Sequence, residues 1–263
     1  MRGYLLLILQ FFFCSVAAMP ENSPFPGGVA VLDIGSSDWA KFENKDVMVL
    51  KKDNRNLALL GIGLKTPPGE YQIETQAGNL SFSIEPKTYP SQHLTIKNKN
   101  HVTPPKRELD RIFREKREMG KIFTNFRLKE NIDVNFSLPS EGMVSSEFGL
   151  KRYLNGQARS PHSGIDIAAA QGTSVYAPSD GIVSMTGDYF FNGKTVLLDH
   201  GQGLITMYCH LSKITVAQSE KIKKGAKIGE VGMTGRVTGA HLHWAVSLNN
   251  VRVNPRHFLN STR

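Results

Sequence analysis

Four of the chain's eight histidines, with one aspartate, stand at spacings that can hold a metal ion and move protons beside it. His162-Ser-Gly-Ile-Asp166 is one motif and His241-Leu-His243 another; Tyr208-Cys-His210 lies between them. A catalytic zinc takes three protein ligands through nitrogen or oxygen and keeps one position for water. His162, Asp166 and one histidine of the pair would make such a set. In a strand, residues i and i+2 share a face, so His241 and His243 project the same way. One of them can ligate, and the other then stands where a base or an oxyanion donor is needed. Leu242 and Trp244 point to the opposite face. A small residue before the pair, Gly239 or Ala240, lets a substrate backbone come close.

Each motif alone is weak, since H-x-H pairs and single histidines are more often structural than metal-bound. Their joint occurrence in one β-patterned stretch carries the inference. Cys209 reads as a buried small hydrophobe facing away from His210, because strand neighbours point to opposite faces. That leaves a Cys–His protease without its pair. His200 sits in an Asp-His-Gly-Gln-Gly segment that reads as a hairpin turn, and it is taken as structural, as are His93 and His257. The aromatic segment Tyr189–Gly193 either walls a groove or packs on a sheet.

The elements that must position these residues form three stretches. From Leu138 onward the chain is glycine-rich. Runs such as Ser174–Ala177, Gly181–Met185, Thr195–Asp199, Leu204–Tyr208, Lys227–Val231 and His243–Leu248 alternate with turn residues, which predicts an antiparallel β-domain. From Gly28 to Asn98, six short β-like runs suggest a small sandwich. Leu80 to Ile84 alternates strictly there, and turns are expected at Asp53–Asn54 and Pro67–Gly69. Between them, Leu109, Ile112, Phe113, Ile122, Phe123 and Phe126 fall on one helical stripe. Lys106 to Lys121 carries seven basic and four acidic residues, and Gly120 is expected to kink or end that helix. The fold class is therefore mainly β. The boundaries are a leader at 1–18, a sandwich-like module at 24–99, a basic amphipathic linker helix at 100–136, and the motif-bearing domain at 137–263.

Composition narrows the setting. The 263 residues are 40% hydrophobic and 21% charged, enough apolar material for a core. No apolar run reaches membrane-spanning length, which excludes a polytopic membrane protein. Two cysteines cannot build a disulfide scaffold or a four-cysteine zinc ribbon. Arg2, the apolar run Tyr4–Phe13 and the small residues Val16, Ala17 and Ala18 read as a secretory signal peptide cut near Ala18. Phe12 and Phe13 before Cys14 argue against a lipoprotein leader. The net charge of +9 falls by one with Arg2. In an exported chain it points to an anionic envelope rather than to nucleic acid. The expected location is the periplasm or cell envelope, with no stable membrane span after cleavage.

From about Ser145 to Leu259 the chain resembles the lysostaphin-type, LytM-like zinc endopeptidases, a family of peptidoglycan hydrolases, in its Gram-negative exported form. The carrying segments are SEFG at 146–149, HSGIDIAAAQGTSVYAPSDGIV, LLDHGQGLITMYCHLS, KKGAKIGEVGMTGRVTGAHLHW and NPRHFL. The resemblance implies an antiparallel β-sheet groove with one zinc per chain on its floor. It implies His162, Asp166 and His243 as ligands, with His210 and His241 as the auxiliary catalytic histidines. Tyr189 and Tyr208 are candidates for the family's oxyanion-stabilising tyrosine. Three positions depart from the pattern: Ala240 for a common Pro, Ala245 for a common Glu, and Ser219 for a common Gly. The function expected is metal-activated hydrolysis of the peptide cross-links of peptidoglycan. The alternative is a non-catalytic envelope adaptor that binds wall or activates another hydrolase. The upstream module or the basic helix is expected to cover the groove, as an autoinhibitory contact.

Overall fold

The structure, a computed structural model, describes residues 19–259. The expected signal peptide lies outside the described residues. No described helix is long and apolar enough to cross a membrane.

Six strands form the first sheet: β1 (Val29–Asp33), β2 (Ala40–Phe42), β3 (Lys45–Lys52), β4 (Arg55–Gly61), β5 (Gly69–Thr75) and β6 (Gly78–Ile84). Their order is β1-β4-β3-β2-β5-β6, and neighbours run antiparallel. β3 pairs with β2 through Lys45–Val47 and with β4 through Met48–Lys52, so one strand turns the corner between two halves. Ala30, Ala58 and Leu60 of one half and Ile73, Phe82 and Ile84 of the other share a small core. The result is sandwich-like, but made from one bent sheet rather than two separately paired ones. Tight hairpins hold the register. Glu43–Asn44 and Asp53–Asn54 both carry positive φ at two successive residues, the backbone of the turn that matches strand twist.

β7 (Ser91–Leu94), which the sequence groups with this module, pairs elsewhere. It runs parallel to β9 (Lys151–Leu154), which in turn pairs with β10 (Gln157–Ala158). A parallel neighbour remote in sequence leaves no local pattern to read.

After β7, helix α1 spans Lys106–Phe123. Gly120 stays inside it, and the helix ends where the Thr124 hydroxyl turns back to the carbonyls of Gly120 and Lys121. Phe126 therefore falls past the helix, and Phe113 is exposed. Phe123, Met119 and Ile122 pack against the larger sheet.

That sheet contains β8 (Met143–Ser146), β11 (Ile165–Ala168), β13 (Gly181–Tyr189), β14 (Gly193–Gly201), β15 (Leu204–Leu211), β17 (Lys221–Ile222), β19 (His241–Leu248) and β20 (Val251–Val253). Its order is β17-β13-β14-β15-β19-β11-β8, with β20 also on β19. A three-stranded sheet of β12 (Ser174–Tyr176), β18 (Lys227–Glu230) and β16 (Lys213–Ile214) packs beside it. β15 is buried along its whole length because both faces are covered. One face meets the main core around Phe136, Trp244 and Phe258; the other meets the α1 cluster. The main core also takes in Val29, Met48 and Leu59 of the first sheet, so the two sheets share apolar packing.

Candidate metal centre

β11 and β19 are antiparallel neighbours, and Asp166 and His243 are paired directly across them. Leu242 and Trp244 are wholly buried on the opposite face, which leaves His241 and His243 on the open one. His162 reaches the same point from the turn before β11. Its Nδ1–H donates to the Glu147 carbonyl at 2.7 Å, which orients the ring with Nε2 turned inward.

Three ligand-type atoms converge there. His162 Nε2 lies 2.9 Å from Asp166 Oδ1 and 3.0 Å from His243 Nδ1, and the latter two are 2.7 Å apart. Tetrahedral ligands at roughly 2.0–2.1 Å from a zinc ion stand about 3.3 Å apart, so a few tenths of an ångström of opening fits this triad to the ion. Two imidazoles and one carboxylate are also the donor types that zinc prefers. Arg152 donates from Nη2 to Asp166 Oδ2 at 2.8 Å and fixes the carboxylate with Oδ1 turned inward. Burial would raise the Asp166 carboxyl. The hydrogen bonds and charge of His162 and His243 outweigh it and hold the group well below the usual range. Burial pushes His243 down to about 4 against the pull of Asp166. Both groups are thus in the deprotonated forms that bind metal.

His210 and His241 stand at the rim of this triad, with ring centres 4.9 Å apart. Each has its proton assigned by a backbone carbonyl. His210 Nδ1–H donates to Thr234 O and His241 Nδ1–H to Gly239 O, both at 2.8 Å. Each therefore keeps Nε2 clear of that backbone bond. The one on His241 lies 3.9 Å from Asp166 Oδ1. Burial, with His241 and His243 close by, pushes His210 down to about 3.

Strand alternation fails at His210. Met207 and His210 border the same cavity although they are an odd number of residues apart. A φ of +66° at His210 and a register shift in the β14–β15 ladder explain this. Cys209 is therefore not placed opposite His210 as simple alternation predicts: it pairs across to His243, on the sheet face that carries the histidines. It is buried with Leu197, Met207 and Phe123, and its thiol is pushed up to about 12 by burial, far from a nucleophile.

The two candidate tyrosines do not reach the centre. The Tyr208 hydroxyl is buried against Thr206 Oγ1 on the other face, and that of Tyr189 turns to its own strand, to Thr186 O. Among the described residues no tyrosine borders the cavity. His200 lies in β14 rather than in a turn, fully buried between Asp180 O and Thr206 Oγ1. His93 stacks on Tyr153, and His257 packs near Phe25. Of the aromatic segment, Phe191 walls the cavity while Phe190 packs against His101.

The cavity has a volume of about 520 Å³. Sequence reasoning missed part of its lining: Arg152, Arg159 and Arg236. Arg236 does lie inside the glycine-rich Gly232–Gly239 segment, which was a signal available. The rest come together through long-range pairing. The end of β7 and the stretch after it also contribute, through Leu94, Ile96, Val102 and Pro104. The Asn155 side chain binds both Ile96 N and Ile96 O, and Arg159 Nη2 donates to Val102 O at 2.7 Å. This connector, not the six-stranded sheet, lies against the cleft. The departure at Ala245 has a role here as well, because its small side chain belongs to the cluster under Phe123 of α1.

Residues 160–255 match peptidase family M23, and residues 22–87 match the peptidase family M23 N-terminal domain. Over 120 residues the chain is 40% identical to the peptidoglycan DD-endopeptidase ShyA of Vibrio cholerae, which is 45% of this chain and 28% of that protein. Over 112 residues it is 41% identical to the DD-carboxypeptidase/endopeptidase Mpg of Neisseria meningitidis, 43% of this chain and 26% of that one. The matched segment thus spans little more than a quarter of those curated relatives. A crystal structure described as a peptidase M23 from Pseudomonas aeruginosa is 40% identical, with a TM-score of 0.76, covering 90% of this chain and 95% of that one. With a matching model at each end and a likeness over nearly its whole length, the chain belongs to peptidase family M23.

Proposed function

We propose that this chain is an exported zinc endopeptidase that hydrolyses peptide cross-links of peptidoglycan. The observation that carries the reading is the convergence of His162 Nε2, Asp166 Oδ1 and His243 Nδ1 beside two histidines with free Nε2 atoms. His162, Asp166 and His243 would hold one zinc. When bound, the ion supplies a Lewis acid that makes water nucleophilic near neutral pH. Arg152 and Glu147 O keep Asp166 and His162 turned toward it.

The remaining chemistry falls to His210 and His241. Their Nε2 atoms can accept a proton from the attacking water. An imidazolium so formed can return that proton to the leaving amine or donate a hydrogen bond to the amide oxygen. The relatives named above are DD-endopeptidases, which supports a D,D peptide bond as the one cut; the Gram-negative resemblance favours the D-Ala–diaminopimelate cross-link. The leader-like residues 1–18 support export to the periplasm. The connector at 94–104, clamped over the cleft, supports a closed resting state in which part of the groove is covered.

Digestion of purified sacculi with and without a chelator tests the reading. Release of uncross-linked muropeptides that stops on chelation is expected, and mass spectrometry of the products identifies the bond. Wall binding without cleavage by the metal-loaded chain would favour an adaptor. His243→Ala should lose the metal, whereas His241→Ala should retain it and lose turnover by roughly 10²–10⁴-fold, the usual worth of a placed acid–base group. Metal quantification on both purified variants separates the two roles; one tight zinc in His243→Ala would overturn the ligand assignment.

A further inference from the structure

The cavity at the metal centre is bordered by three guanidinium groups, those of Arg152, Arg159 and Arg236. Asp166 is the one acid among the described residues on the same lining. It is already committed, with Oδ1 facing His162 and His243 and Oδ2 accepting from Arg152. The other two arginines meet only neutral oxygens in this region. Arg159 Nη2 donates to Val102 O at 2.7 Å and to the Gln157 side chain; Arg236 Nη1 donates to His101 O at 3.4 Å. Arg236 also lies with its guanidinium carbon 4.4 Å from the centre of the Phe191 ring.

This is an excess of positive charge in a half-enclosed space. Burial, with Arg152 and Arg159 nearby, pulls Arg236 down to about 10. Such an arrangement is unfavourable unless an anion completes it, and a divalent ion at the triad would deepen the excess. A backbone carbonyl offers a guanidinium one neutral oxygen. A carboxylate offers two charged ones, spaced to match the N–H fork.

We propose that Arg159 and Arg236 form a carboxylate-binding subsite next to the metal centre, that it selects peptides with a free carboxylate near the scissile amide, and that the carbonyls of His101 and Val102 occupy it in the closed chain. The proposal rests on the peptidase reading and adds the substrate class, an acidic peptide. Arg159 and Arg236 are specificity determinants in it, not carriers of protons. Opening of the connector would release the Arg159–Val102 and Arg236–His101 bonds at once, so entry of the anionic substrate and displacement of the connector are one exchange.

The test uses the mature, metal-loaded chain and two cross-linked muropeptides that differ only in having free or amidated carboxylates. The free form should be cleaved with at least tenfold higher kcat/KM, the difference lying mainly in KM. In the Arg159→Gln, Arg236→Gln double variant that ratio should collapse to within twofold. Equal cleavage of both by the wild type, or a ratio that survives in the variant, overturns the subsite and leaves the peptidase reading standing. If neither is cleaved, the peptidase reading fails, and the subsite is judged on binding alone. Titration calorimetry then compares a stem tetrapeptide bearing free carboxylates with its fully amidated counterpart on the wild-type chain. Tighter binding of the free form supports the subsite, and equal binding overturns it.

Discussion

His200, His210 and His241 are each oriented by a neighbouring carbonyl, and what the other ring nitrogen meets decides what the ring can do. Where Nδ1–H is tied to a carbonyl and Nε2 faces the cleft, as in His210 and His241, the ring is ready to exchange a proton. Where both nitrogens are used inside the core, as in His200, it is a structural tie. His200 donates from Nδ1 to Asp180 O, accepts from Thr206 Oγ1–H at Nε2, and Thr206 accepts in turn from the Tyr208 hydroxyl. Burial lowers the His200 pKa from 6.5 to about 4. Its neutral form is the one the folded chain holds, so its contribution is fully present above pH 6.5 and is lost as pH falls toward 4. The loss amounts to about 3 kcal/mol for this one group. Urea midpoints measured between pH 7 and pH 4 should show that fall, and His200→Gln, which cannot titrate, should remove that share of the slope. The motif spacing singled out His162, Asp166 and the pair His241 and His243, because i, i+2 and i, i+4 relations are local, while the division of roles among them and His210 came from the family resemblance. It could not place His210 on the histidine face, because that depends on a positive φ at one strand position. It could not reject Tyr189 and Tyr208 either, since which face a tyrosine takes is set by strands not yet paired.

At the level of elements, the connector between β7 and α1 matters most, and it was the least legible. Strand runs with alternation and turn residues were read from the sequence. A parallel pairing of β7 with β9, nearly sixty residues away, was not, because neither strand carries a mark of its partner. Asn155 closes this connector by bonding both the N–H and the carbonyl of Ile96 from a backbone with φ of +49°. Asn155→Gly keeps that backbone accessible and deletes the amide clamp. If the connector restricts entry, the variant should cleave sacculi several-fold faster in full-length form; an unchanged rate would argue that the connector leaves the groove open. The departure at Ser219 is also explained at this level. Ser219 has φ of +69°, a conformation glycine adopts without strain. Ser219→Gly relieves about 1–2 kcal/mol of left-handed strain and loses part of it to the freer unfolded chain. A net gain of about 0.5–1 kcal/mol is expected in denaturant unfolding, with the cleft chemistry unchanged.

For the whole molecule, the feature that matters most is the sharing of one apolar core across both sheets. Val29, Met48 and Leu59 of the first sheet belong to the same cluster as Leu204, Leu248 and Val253 of the second. The Gln202 side chain adds to the join by accepting from Val49 N and donating to Val49 O. A single cooperative transition is expected in calorimetry, with the calorimetric and van't Hoff enthalpies equal. Two resolved transitions would show that the sheets are energetically independent. One consequence concerns how such a chain could be switched on. Trimming away residues 19–90 would strip the greasy underside of the larger sheet and leave it sticky toward its own kind, so a shortened form would trade control for clumping. If the proposed closed state holds, release is cheaper by swinging the 94–104 connector than by shedding a module, and the active species should then have the same mass as the dormant one.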